Sequence, residues 1–379
     1  MIRVKLEELL RLPSILKDMG YRVIAPVEGN GVTKFAEYSP GLSVVLDYVR
    51  AINAPRDFLL PDGESLYRYR STATVTSYGL KIRFPTVEGP CPVTINAEYT
   101  APIGRLAFFA IHPCHANSIK YLDRVMLSEP ADPYYRARRE GMLAVVLECE
   151  EGDDFCFCVP AGSWKADREC CDVLVRRARS KSSPSFSPSP NTSPNSVSSS
   201  SFSKSSPVSS SGDYFIVQPI SEAGKQAVSR LSGQEEPGSL EVEEEPPKMR
   251  ALFSIRASEE NIDRGAAENL DSCTLCAACT VTCPTCYCSD IEDRFHLVDP
   301  SNVERVRRRM SCQRRCYSMI AGGTVFLKSK EERYRWRLKH KFPFSEKSFG
   351  VSGCVGCGNC IAFCPAGVDM RRTVGRSDE

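Results

Sequence analysis

The chain has 379 residues, enough for two ordinary domains, and is 42% hydrophobic and 25% charged. A net charge of +2 excludes a chain-wide polyelectrolyte, and with it any nucleic-acid partner recruited by bulk charge. The outlier is 19 cysteines against 4 histidines, which means a disulfide framework or a metal protein. Disulfide scaffolds are mostly short and secreted. Here Met1 to Leu16 hold Arg3, Lys5, Glu7, Glu8 and Arg11, so no signal-peptide core is read there. No stretch approaches the roughly 18 apolar residues of a membrane span. A cytoplasmic protein whose thiolates hold metal is expected.

In chain order, Leu6, Leu9, Leu10, Ile15 and Leu16 have helical spacing. Short β-like runs follow at Ser43–Val49, Thr72–Val75, Lys81–Phe84 and Val93–Ala97. Leu106–Ile111 and Leu143–Leu147 are unbroken and strand-length, as buried strands are. Ser118–Val125 and Tyr134–Arg139 read as helices between them. From Ser180 to Gly212, serine fills 18 of 33 positions and proline five, too little apolar surface to offset ordering entropy. Strand-like segments flank it (172–177, DVLVRR, and 213–220, DYFIVQPI), so it reads as a disordered loop inside one domain. Ser221–Leu231 looks helical. Gly233–Pro247, with six glutamates and three prolines, is the linker candidate. The expected fold is α+β: a mixed α/β domain over 1–232 with the insertion at 180–212, an acidic linker over 233–249, and a mainly helical dicluster ferredoxin-like domain over 250–379.

Cys273, Cys276, Cys279 and Cys283, then Pro284, spell C-x2-C-x2-C-x3-C-P. The pattern recurs at Cys354, Cys357, Cys360 and Cys364, then Pro365. Three thiolates on a tight loop suit three irons of a [4Fe–4S] cube, and in two-cluster ferredoxins the fourth cysteine ligates the other cluster. One cluster is therefore assigned to Cys273, Cys276, Cys279 and Cys364, and the other to Cys354, Cys357, Cys360 and Cys283. Zinc favours two separated C-x2-C knuckles and leaves the third cysteine and the Cys-Pro unexplained. Cys114, Cys149, Cys156 and Cys158 lie at or beyond the ends of the two buried strands, where crevices form. They are read as a third cluster site, against an alternative of buried unligated thiols. Cys286, Cys288, Cys312 and Cys316 form a looser quartet that lines the first cluster or binds a further one. Cys91, Cys170 and Cys171 read as unligated.

Between Val303 and Lys347, 14 basic residues face 4 acidic ones. They read as solvated helix faces, as a docking surface for an acidic partner, or as a field that raises cluster potentials. No nucleotide-binding, hydrolase or zinc-protease motif is present, so the chain itself is expected to move electrons and not to transform a substrate.

These residues resemble a known family: the iron–sulfur β subunits of sulfhydrogenases, NAD(P)-linked nickel–iron hydrogenases, together with the corresponding iron–sulfur subunits of anaerobic sulfite reductases. The likeness includes APRDFLLPDGESL (54–66), FAIHPCHANSIKYLDRVMLSEPADPYYRARRE (109–140) and LECEEGDDFCFC (147–158). It continues through CTLCAACTVTCPTCYCSD (273–290), YRWRLKHKF (334–342) and SGCVGCGNCIAFCPAGVD (352–369). The resemblance implies an electron-transfer subunit whose clusters connect a flavin/NAD(P)H-binding subunit with a hydrogenase or a sulfur or sulfite reductase subunit. It also implies that Cys114, Cys149, Cys156 and Cys158 are ligands. The family usually has Asp after the cysteine at 114, where this chain has His115. Two other functions compete: direct reduction of a sulfur species at the N-terminal site, and an assembly scaffold with structural clusters.

Overall fold

The apolar runs RLAFFAI and LAVVL become the strands Arg105–Ile111 and Leu143–Leu147, buried on both faces as their lack of alternation requires. The computed structural model describes residues 1–70, 74–76, 79–81, 98–99, 104–178, 214–236, 254–255, 257–266, 270–299 and 302–376. These two strands sit in the middle of an eight-stranded mixed sheet. Its order is Gln234–Glu235, Ile2–Lys5, Tyr214–Pro219, Val173–Ala178, Leu143–Leu147, Arg105–Ile111, Tyr21–Gly29, Val32–Glu37. The pairings among Val173–Ala178, Leu143–Leu147, Arg105–Ile111 and Tyr21–Gly29 are parallel, and the outer ones antiparallel.

Alternate side chains of these strands feed two cores. Ala107, Phe109, Leu143 and Val145 pack with Leu9, Leu12, Leu16 and Val228 from the helices Leu6–Leu9, Leu12–Asp18 and Glu222–Val228. On the other face Leu106, Phe108, Ala144 and Val146 meet Ile119, Leu122 and Tyr135 from the helices Pro113–Met126 and Pro133–Arg139. The strands flanking the serine tract are antiparallel neighbours with Ala178 opposite Tyr214. The tract itself, Cys91, the expected strands Lys81–Phe84 and Val93–Ala97 (apart from Lys81, which closes a short strand) and most of the acidic linker lie outside the described residues. The first linker residues, Gln234–Glu235, form the edge strand beside Ile2–Lys5. Ser43–Val49, expected as a strand, is a loop with one bridge, Val44 to Val27.

The C-terminal region departs from the mainly helical expectation. The segment between the two cysteine motifs opens with a hairpin, Ser289–Phe295 and Asn302–Arg309, whose second strand pairs with Glu64–Arg70 of the N-terminal region. Its buried apolar positions are Val303 and Val306, three residues apart, with a register shift between Arg305 and Val306 that breaks the period-two alternation. The helix Lys330–Lys341 follows, with a Ser329/Glu332 capping box. A third core joins Phe157, from the loop after Leu143–Leu147, to Tyr334, Leu338, Phe342, Ile361, Met370 and Val374. Among the described residues, no helix is long and apolar enough to cross a membrane.

Candidate metal centres

The two cysteine motifs fold alike. In each loop the residues two and four places after the first cysteine adopt left-handed backbone: Leu275 (φ 56°) and Ala277 (φ 70°) in the first, Gly356 (φ 59°) and Gly358 (φ 73°) in the second. Consecutive turns of opposite hand aim backbone N–H groups into a concavity, the nest that receives anions and iron–sulfur clusters. The first loop keeps this geometry at non-glycine positions, which costs of order 1 kcal/mol per residue. One-turn helices follow, Ala278–Val281 and Asn359–Ala362, and Cys283 and Cys364 come just after them. The fourth cysteine thus closes a short helix and does not open the next one.

Cys273, Cys276 and Cys279 line one hollow with Cys364 of the other motif, and Cys360, Arg337 and Met370 complete its wall. Cys354, Cys357 and Cys360 line a second with Cys283, together with Thr285, Lys341, Arg337, Phe157 and Met370. The hollows measure about 490 and 320 Å3, open mouth included. Burial pushes the Cys279 and Cys354 thiols up to about 12. Cys283 is the exception: a hydrogen bond from Cys286, together with the Lys341 and Arg337 charges, offsets burial and holds its thiol well below the usual range. Thiolates alone bind iron, so occupation of these hollows must expel protons. Among the described residues no three His, Cys, Asp or Glu side chains converge on a single-ion site. A cube spreads its ligands wider than one ion does, so the geometry fits clusters better than zinc.

The N-terminal quartet is also gathered. Beyond Phe108 the register of Arg105–Ile111 against its neighbour shifts, and Ala110 turns left-handed (φ 54°), its carbonyl accepting from Tyr48 Oη at 2.7 Å. This bulge re-aims the strand end and delivers His112 and Cys114 to the carboxyl edge. Cys114 lies in the first turn of Pro113–Met126, and Cys149 leaves the adjacent strand on the same edge. Burial raises all four thiols, Cys156 to about 11 and Cys158 to about 12; Cys114 is raised further by Cys158, Cys149 and Cys156. His112 stands between Tyr48 O at 2.9 Å and Cys149 Sγ at 2.5 Å, and burial lowers its imidazole to about 4. His115 is buried with no partner for Nδ1 among the described residues, and burial lowers it to about 3. A cleft lined by Asp47, Glu148, Glu150, Glu151, Asp153 and Arg177 opens at Cys149.

This quartet packs directly on the second loop. Phe157 N donates to Gly356 O at 2.8 Å, and Ser163 Oγ to Val355 O at 2.6 Å. A Cβ at Gly356 or Gly358 would lie 2.3 Å from Phe157 O or 2.4 Å from Phe155 O, so both glycines are required by the approach as well as by φ. Arg50 bridges the two sites: it donates to Asp153 at 2.7 Å, to Cys357 O at 2.6 Å and to Asn359 Oδ1 at 2.8 Å, with Cys156 Sγ at 3.6 Å.

Arg50 is thus the guanidinium beside the quartet, and the arginines of the helix Pro133–Arg139 are engaged elsewhere. Arg138 pairs instead with Glu64, Arg139 with Asp123, and Arg136 approaches Glu129 at the surface. Arg56, fully buried, donates to Thr280 O, Val281 O and Cys286 O and so fastens the first cysteine helix. It lies in APRDFLL, a stretch that marks the family resemblance without revealing its purpose. The looser quartet does not converge: Cys286 sits on Cys283, Cys288 lies near Cys312 and Tyr317, and Cys316 is exposed beside Met310. Cys170 and Cys171 are core residues.

Much of the basic segment is not a free surface. Arg305 pairs with Asp293, Arg307 with Glu64 and Asp132, Arg309 with Asp57, and Lys339 with Asp263. Arg333, Arg337 and Lys341 are buried.

Residues 272–368 match the 4Fe-4S dicluster domain family. The chain is 26% identical over 371 residues to "Sulfhydrogenase 2 subunit beta" of Pyrococcus furiosus, covering 93% of this chain and 91% of that one. With paired dicluster loops and a likeness running almost end to end, the chain is similar to an iron–sulfur β subunit of a sulfhydrogenase.

Proposed function

We propose that the chain relays single electrons between a flavin/NAD(P)H-binding subunit and a hydrogenase or sulfur-reducing subunit, in the cytoplasm. Cys273, Cys276, Cys279 and Cys364 hold the first cluster, and Cys283, Cys354, Cys357 and Cys360 the second. Cys114, Cys149, Cys156 and Cys158 hold a third. Such clusters supply one-electron storage and transfer. The observation that supports this reading most is the continuity of the three cysteine sets. Cys360, Arg337 and Met370 wall both hollows, and Phe157, Gly356 and Arg50 join the second hollow to the N-terminal quartet.

The chain's own residues shape the path. The left-handed loop positions present backbone N–H groups, the buried thiols give up protons, and apolar Phe157, Val355 and Met370 exclude water between the sites. Direct reduction of an anionic sulfur species at the N-terminal quartet is disfavoured. The cleft beside Cys149 is lined by five acidic residues and one arginine, Arg177; Asp47, Glu148 and Asp153 are ion-paired, and with Glu150 and Glu151 the wall stays net negative, which disfavours anions.

Iron and acid-labile sulfide analysis of the anaerobically purified chain tests the assignment. About twelve irons are expected for three cubes, and about eight would remove the third. A content near four or below, or stoichiometric zinc, would overturn the relay.

A further inference from the structure

Two cations lie buried beside the hollows with no carboxylate. Arg337 and Lys341 are one helical turn apart on Lys330–Lys341, so they share a face. Arg337 is 4% exposed; Nη2 donates to Cys279 O at 3.2 Å, Nη1 lies 3.9 Å from Met370 Sδ, and Nε has no partner among the described residues. Lys341 is 3% exposed; Nζ donates to Thr285 Oγ1 at 2.7 Å and lies 5.7 Å from the Tyr121 ring centre. No acidic side chain among the described residues forms an ion pair with either. Arg305, Arg307, Arg309 and Lys339 in the same segment are paired to carboxylates, and buried Arg333, which among the described residues is not, lines neither hollow and donates to Leu327 O and Lys328 O.

A buried charge is tolerated only when a compensating charge is near. The anions available are cysteine thiolates. Arg337 donates to the backbone of Cys279, and Lys341 to Thr285, two residues beyond Cys283. The two cations are not equivalent. Arg337 lines both hollows, whereas Lys341 lines only the second.

We propose that Arg337 is a counter-charge shared by the two C-terminal clusters and Lys341 a counter-charge for the second alone, so that the second is the easier to reduce. The proposal rests on the ligand sets given above. A fixed positive charge stabilises the reduced, more negative state of whatever anion it faces. The asymmetry of two cations against one makes the second site the one where an electron rests.

The test is an EPR-monitored redox titration of the full-length chain, after iron has been counted in each variant. Cys276→Ser identifies the signal of the first site. Lys341→Gln should shift the reduction equilibrium of the second site by at least about tenfold toward the oxidised form, roughly 59 mV for one electron, and leave the first unmoved. Arg337→Gln should lower both, and Lys341→Arg should restore the wild-type midpoint. Unmoved midpoints, or equal shifts at both sites from Lys341→Gln, would overturn the proposal. If Lys341→Gln loses the second cluster's iron, retention of that iron in Lys341→Arg supports the counter-charge, and loss in both overturns it. A wild-type chain without cluster iron would instead refute the ligand assignment, a separate failure.

Discussion

Arg50→Met should detach the N-terminal quartet from the second cysteine loop. The substitution keeps an apolar stem and removes the guanidinium, which is 10% exposed and contacts Asp153, Cys357 O and Asn359 Oδ1. Breaking a buried ion pair by removing one partner costs about 3–5 kcal/mol. Asp153 is 32% exposed and can rehydrate in part, which reduces that figure. The two oxygens left without a donor add about 1 kcal/mol or more each unless water reaches them. A loss of about 3 kcal/mol is the balance. Asp153→Asn in the same chain should recover roughly 1 kcal/mol by removing the stranded carboxylate.

The Arg50 hydrogen bond offsets burial and holds the Asp153 carboxyl below its usual range. The stabilisation is therefore present above the unfolded carboxyl value and is lost as pH falls through the folded one, so the difference between wild type and variant should narrow in acid. Anaerobic urea unfolding, followed by far-UV circular dichroism and by cluster absorbance, measures these quantities. A loss below about 1 kcal/mol, or no recovery in the double variant, would refute the bridging account.

Two further perturbations follow from the packing. Gly356→Ala places a Cβ 2.3 Å from Phe157 O in a left-handed backbone, so it should displace the 155–158 segment and lower iron at the N-terminal quartet and the second hollow, with the first spared; equal iron loss everywhere would show global unfolding instead. His340, partly buried against Tyr287 and Trp336, has its imidazole lowered to about 4 by desolvation, then by Lys341. A folded value below the unfolded one means stability declines as pH drops from about 6.5 to about 4, by up to about 3 kcal/mol, and His340→Gln should flatten that decline in pH-dependent unfolding.

The buried strands were legible because an unbroken apolar run of strand length has few other uses. Leu143–Leu147 agrees residue for residue and Arg105–Ile111 within one. Ser289–Phe295 and Asn302–Arg309 were not legible: the first is almost wholly exposed, and a register shift between Arg305 and Val306 breaks the alternation of the second, whose arginines find their acidic partners, Glu64, Asp132 and Asp57, far away in the chain. The same cause hid the meaning of the basic run. Charge density in a sequence cannot distinguish Arg305, paired to a carboxylate, from Arg337, buried without one. The cysteine loops were legible because their spacing is dictated by the cube. Arg50 was not, since its function depends on Asp153 and Cys357, more than 100 and 300 residues away.

The pairing of Glu64–Arg70 with Asn302–Arg309 has a consequence for biosynthesis. On the ribosome the earlier strand emerges about 240 residues before its partner, a wait of roughly 12 to 48 s at about 5–20 residues per second. During that interval its free edge is a template for pairing with other chains. The partner strand lies between the two cysteine motifs, so it is made after Cys283 and before Cys354. That edge can therefore close before the second motif is made, and the proposed crossed ligand sets are completed only after the partner strand is available. Before that strand is made, a chaperone or iron-delivery factor acting on this protein meets an exposed strand edge and a chain that still lacks the four cysteines of the second motif, and shielding that edge matters most at this stage.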